Sequence, residues 1–71
     1  MNQQTNRDMT TSTKTFGKAA KREAKQFFPT AKTYKKYGSS MSQFVNFYDA
    51  EGKHLGYWTN ERKDKGVLRA Y

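Results

Sequence analysis

A row of cationic side chains is the feature of this chain best suited to binding chemistry. At 100° per residue, the four members of the row fall on one side of a predicted helix, opposite an apolar stripe. Such a row can track a phosphate backbone, although an ordinary solvated helix face is also charged. Like charges at i and i+4 weaken a helix slightly, which favours the functional interpretation. The row consists of Lys18, Lys21, Arg22 and Lys25.

A second cationic group follows Pro29, where lysines and tyrosines are interleaved in the sequence. The tyrosines can stack on unpaired bases while the lysines neutralise phosphates. The tyrosines are equally suited to the core side of an amphipathic strand, and both interpretations stay open. Across both groups, Arg22 is the best candidate for a specific contact, because a guanidinium can bind bidentately. The second group is Lys32, Tyr34, Lys35, Lys36 and Tyr37.

The remaining polar residues do not form a catalytic pattern. His54 is the single histidine, and the chain contains no cysteine, so neither a triad nor a metal site is predicted. Asp49 and Glu51 lie in a predicted hairpin turn, exposed and without the dry pocket that an acid–base pair needs. We therefore expect a protein that is not an enzyme and that needs no metal or cofactor.

The positive charge is concentrated in one part of the chain. The 71 residues carry a net charge of +8, and residues 14–43 hold eight of the 14 Lys and Arg residues against one of the six acidic ones. This segment therefore supplies +7 of the +8. Such a field favours association with polyanions, although solubility alone is an alternative explanation.

The basic residues must be positioned by a helix and the segment that follows it. A helix is predicted over residues 15–28, with Thr15 as N-cap and with Pro29 as the stop. Residues 30–37 contain β-branched and aromatic side chains and predict a strand, and residues 38–40 predict a turn.

The strongest strand signal comes next. Residues 44–48 and 54–59 predict a hairpin, whose turn begins at Asp49 and ends at Gly52 in the left-handed region. Residues 66–71 predict a last short strand, with a helix starting at Asn60 as the competing interpretation. Because residues alternate between faces, both sides of the hairpin carry aromatic side chains.

These elements predict the fold class α+β, with one amphipathic basic helix packed on a three- or four-stranded antiparallel sheet. Residues 1–13 are polar and predict a disordered tail, while residues 14–71 form a single small domain. One sheet face must cover the helix. The other is then partly exposed or meets a second subunit, so a homodimer is one expectation.

The leading hypothesis is a protein that binds DNA or RNA, mainly through backbone and shape. The alternative is a small modulator, of the kind that viral genomes encode, which docks on an acidic surface of a larger host protein. Its interface would use outward aromatic side chains of the hairpin, namely Tyr48, Tyr57 and Trp58. No apolar run reaches the length of a membrane helix, so we expect a cytoplasmic or nucleoid-associated protein without membrane contact.

Overall fold

A computed structural model describes residues 8–39, 41–61 and 64–71 of the chain. Its elements, in chain order, are strand β1 (Asp8–Thr10), helix α1 (Lys18–Phe27), and strands β2 (Thr33–Ser39), β3 (Ser42–Tyr48), β4 (His54–Thr59) and β5 (Val67–Ala70). The strands form one antiparallel sheet in the order β1-β5-β4-β3-β2. The predicted α+β class is confirmed, but the sheet has five strands rather than three or four.

The additional strand comes from the segment predicted to be disordered. That prediction is wrong for residues 8–13, and residues 1–7 lie outside the described part of the chain. Met9 lies opposite Leu68 on β5 and packs against the core. Thr11 is buried, and both its amide and its hydroxyl donate to the carbonyl of Gly66, at 2.7 Å each. These long-range hydrogen bonds satisfy polar groups of the segment on burial. The polar composition of the same segment was the reason for predicting disorder.

Helix α1 starts later than predicted and stops where predicted. Its N-cap is Gly17 rather than Thr15, and the carbonyl of Gly17 accepts from the amide of Lys21 at 2.9 Å. Phe16 precedes the helix, is buried and belongs to the core. At the other end, Phe28 leaves helical geometry before Pro29, as expected for a residue that precedes proline.

The hairpin of β3 and β4 is confirmed. The Asp49 carboxylate accepts from the amides of Glu51 and Lys53, at 2.9 Å each, and Gly52 has a φ of 84°. Residues 67–70 are strand β5, so the competing helix from Asn60 is wrong. Residues 60–66, between β4 and β5, were predicted to be turn-like. Residues 62–63 of this segment lie outside the described part of the chain.

Strand β2 is shifted along the chain relative to the prediction. It begins at Thr33 instead of residue 30 and runs through two of the residues predicted as a turn, Gly38 and Ser39. The chain turns back between Ser39 and Ser42, which are paired, while Ser40 lies outside the described residues.

The core lies between α1 and one face of the sheet. From the helix side come Ala20 and Ala24, flanked by two phenylalanines, and the small alanines let the helix lie close to the strands. The side chain of Trp58 is the largest that is fully buried, and its ring lies 5.3 Å from that of Phe16. The buried apolar residues are Phe16, Ala20, Ala24, Phe28, Val45, Phe47, Trp58 and Leu68.

A glycine just before β5 makes room for the tryptophan. A Cβ atom at Gly66 would overlap the indole ring of Trp58. We expect Gly66→Ala to lower the free energy of unfolding by about 1–3 kcal/mol, the usual effect of overpacking a core. Denaturant unfolding measures this. Met41→Ala is the control, since that side chain is 83% exposed. Equal stability of both variants would show that the indole is not held against Gly66.

Candidate nucleic-acid interface

The outward side of α1 carries the four cations singled out in the sequence. All four are exposed, whereas Ala20 and Ala24 on the opposite side are buried. Glu23 is the acidic residue among the ten of the helix. Its carboxylate accepts from the amide of Ser12 at 3.0 Å, on the flank near the N-terminal segment. The outward surface of the helix is therefore of one sign, formed by Lys18, Lys21, Arg22 and Lys25.

Strand β2 divides the second predicted group between two faces of the sheet. Tyr34 and Lys36 lie opposite Phe47 and Val45, which are buried under the helix, so these two side chains are on the helix side. By the same register, Lys35 and Tyr37 lie opposite Asn46 and Phe44 on the uncovered side. The predicted site residues therefore lie on two faces of the sheet rather than on one surface. The order of residues in the lysine-rich segment does not by itself reveal this division.

We call the set on the helix side the basic face. One contact joins helix to strand, since the Lys21 ammonium lies 5.7 Å from the centre of the Tyr34 ring. A second joins the helix to the segment before β2, where Lys25 Nζ donates to the Ala31 carbonyl at 3.0 Å. Tyr34 is 39% exposed and packs edge-on against Phe16, with ring centres 5.3 Å apart. The basic face comprises Lys18, Lys21, Arg22, Lys25, Lys32, Tyr34 and Lys36.

A cleft opens within the basic face, between α1 and β2, with a volume of about 100 Å³. Its inner surface is apolar, formed by Phe16, Ala24, Ala31 and Phe47. Tyr34 forms a wall of it. The mouth carries ammonium groups from the helix and from the segment before β2, those of Lys21, Lys25 and Lys32. Sequence reasoning missed this cleft because it depends on how the helix lies over the strand.

The uncovered side of the sheet carries a cluster of aromatic rings. Phe44 and Tyr57 lie 5.9 Å apart, and Tyr57 lies 6.0 Å from Tyr71. His54 stacks on Tyr48, with ring centres 5.0 Å apart, and its Nε2 is buried. A shift in register next to Tyr48 explains this, because it places His54 opposite Tyr48 rather than in line with Trp58.

The predicted protein-interface residues are divided between the two sides of the sheet. Tyr48 and Tyr57 are partly exposed on the uncovered side, as that prediction requires. Trp58 is wrong as an interface residue, because its side chain is 0% exposed and its Nε1 donates to the Thr11 hydroxyl at 3.2 Å. A strand presents neighbouring residues to opposite faces, so only one of Tyr57 and Trp58 could be outward.

Arg69 is the cation on the uncovered side that sequence reasoning did not select. Its guanidinium binds Asp8 with two hydrogen bonds, at 3.0 and 3.1 Å, between β5 and β1. These hydrogen bonds, with a smaller contribution from Tyr57, raise the pKa of Arg69 above its ordinary value. The charge of Arg69 is therefore matched within the chain, unlike the one-signed set on the helix.

Two other classes of site find no support in the geometry. In the described residues there is no group of three or more His, Cys, Asp or Glu side chains that could hold a metal ion. No helix in that part of the chain is long and apolar enough to cross a membrane.

Comparison with known proteins gives no assignment. The chain matches no protein-family model, no curated protein and no solved structure. A function must therefore be inferred from the geometry and charge of the chain itself.

Proposed function

We propose that this protein binds nucleic acid through the basic face, with its lysines and Arg22 on backbone phosphates. The observation that carries the proposal is the separation of charge on α1, whose outward surface is cationic while Glu23 is held on the opposite flank by Ser12. Release of counterions from the phosphates drives such binding. Lysines bind phosphate as point charges, so recognition is expected to depend on backbone and shape more than on sequence.

Affinity measured against salt tests this proposal. We expect DNA or RNA oligonucleotides to bind the protein at low salt and to lose affinity steeply as salt rises. Six phosphate contacts would reduce the binding constant by about 1,000-fold between about 50 and 200 mM salt. Fluorescence anisotropy of labelled single-stranded and duplex oligonucleotides gives the measurement. No binding to either nucleic acid at low salt would overturn the proposal.

A second candidate function is docking on a larger protein, and the ring cluster on the uncovered side favours it. Tyr48 and Tyr57 lie there, and Tyr48 stacks on His54, whose buried Nε2 has no hydrogen-bond partner among the described residues. Exposed aromatic groups with a polar atom in need of a partner are typical of interface anchors. The basic face would then add attraction to an acidic partner surface.

The two candidates depend on different residues, so variants separate them. Docking on a protein predicts a stoichiometric complex that resists nuclease and is lost in Tyr57→Ala. Nucleic-acid binding predicts instead that Tyr57→Ala retains affinity for oligonucleotides and that variants of the helix lysines lose it.

A further inference from the structure

We propose that the cleft between α1 and β2 holds one unpaired base of a single-stranded nucleic acid, with the neighbouring phosphates on the lysines at its mouth. This inference rests on the proposed function and specifies its ligand. It predicts a preference for single strands over duplexes that a basic surface alone would not produce.

The inner surface of the cleft suits a flat, largely apolar ring. Ala24 contributes only a methyl group from the helix, and the floor beside it is formed by the rings of Phe16 and Phe47, whose centres lie 5.8 Å apart. Tyr34 forms the wall and remains 39% exposed, which leaves part of its ring accessible for stacking. Stacking on an aromatic ring tolerates every base, because each base has a π-face.

The charges around the cleft identify the ligand as an anion. Of the described residues that line it, three are lysines, from the helix and from the segment before β2, and none is acidic. The side chains over the opening are flexible: Lys21 lies over Tyr34, and Lys25 bonds the Ala31 carbonyl from an exposed position. These ammonium groups can move from their present partners to phosphates on either side of an inserted base.

A duplex cannot use the cleft without losing a base pair. Its bases are stacked and paired, so an inserted base must first be extruded, whereas a single strand presents it directly. The lysines at the mouth would still contact duplex phosphates. The affinity for duplexes therefore reports binding to the basic face, and any additional affinity for single strands reports binding in the cleft.

Strand β2 offers a matched pair of variants for the test. Tyr34 and Tyr37 are three residues apart, 39% and 48% exposed, and on opposite faces of the same strand. We expect Tyr34→Ala to weaken the binding of labelled oligo(dT) by about tenfold, the effect of losing one stacked base. Tyr34→Phe, which keeps the ring, and Tyr37→Ala should bind as the wild type does. Duplex affinity should change in none of them.

A filling variant tests the cleft without removing a ring. Ala31→Leu adds side-chain volume to a cleft of about 100 Å³ and should reduce oligo(dT) affinity about as much as Tyr34→Ala. Circular dichroism melts establish whether each variant is folded. If Tyr34→Ala is not folded, the oligo(dT) affinity of Ala31→Leu tests the role of the cleft.

The outcomes separate the cleft from the basic face. Equal affinity for oligo(dT) and duplex, unaffected by Tyr34→Ala and Ala31→Leu, would overturn the cleft proposal and leave the proposed function standing. Absence of binding to both ligands would overturn both. A competition experiment uses a tyrosine-containing acidic peptide of the same charge as the oligo(dT), at equal concentration. If this peptide displaced the oligo(dT), and if the displacement depended on Tyr34, that result would also contradict a nucleic-acid site.

Discussion

Replacement of Trp58 by alanine is expected to remove most of the free energy of unfolding of the protein. Loss of a buried aromatic ring typically lowers the free energy of unfolding by about 3–5 kcal/mol. A domain of this size is expected to have a total stability on the order of 5 kcal/mol. The indole contacts Phe16 and donates a hydrogen bond to Thr11, the residue that follows β1. Its removal therefore leaves a cavity and removes the hydrogen bond that the Thr11 hydroxyl accepts.

Urea unfolding followed by far-ultraviolet circular dichroism measures the effect. Met41→Ala is the control, since that side chain is 83% exposed and its loss should change stability by less than about 0.5 kcal/mol. Trp58→Phe should be intermediate, because it keeps a ring but loses the indole N–H. A Trp58→Ala protein within about 1 kcal/mol of the wild type would contradict the burial described here.

Neutralising three lysines of α1 is expected to have the largest effect on nucleic-acid binding. In the triple variant Lys18→Gln, Lys21→Gln and Lys25→Gln, affinity for oligonucleotides at moderate salt should fall by about 10- to 100-fold. Each phosphate contact contributes about 0.7 to the salt slope of a single strand, so the slope should fall by about 2. The fold should be retained, because glutamine is a good helix former and the substitution removes repulsion between Lys21 and Lys25.

A second triple variant has the same change in net charge and controls for bulk electrostatics. Lys35→Gln, Lys53→Gln and Lys65→Gln change exposed lysines outside the basic face. We expect this control to lose less than about threefold in affinity, through the long-range field alone. Equal losses in the two triple variants would mean that total charge, rather than the face on α1, determines binding.

The sequence was informative where the determinants are local. The hairpin follows from alternating residues around a turn with Asp49 and Gly52, and the structure has a strand over each of the two segments predicted. Pro29 determines the end of α1 in the same way. The exposed positions of the helix lysines could likewise be read from helical periodicity.

Features that depend on distant residues could not be read from local pattern. The segment of β1 and Thr11 looked disordered because its stabilising partners, Gly66 and Trp58, lie far along the chain. The register of β2 against β3 decides that Tyr34 and Tyr37 face opposite sides. Asn60 was also missed: its side-chain amide is buried, accepts from the Gln43 amide and donates to the Lys14 carbonyl.

Binding through the basic face can be located directly by following the backbone amide shifts of the ¹⁵N-labelled protein while a single-stranded oligonucleotide is added. We predict that the largest shifts fall on α1 and on the segment from Ala31 to Lys36, and that they return toward their original positions as salt rises. Shifts concentrated on Phe44, Tyr57 and Tyr71 of the uncovered side would contradict this interface. So would a protein whose spectrum does not change at low salt.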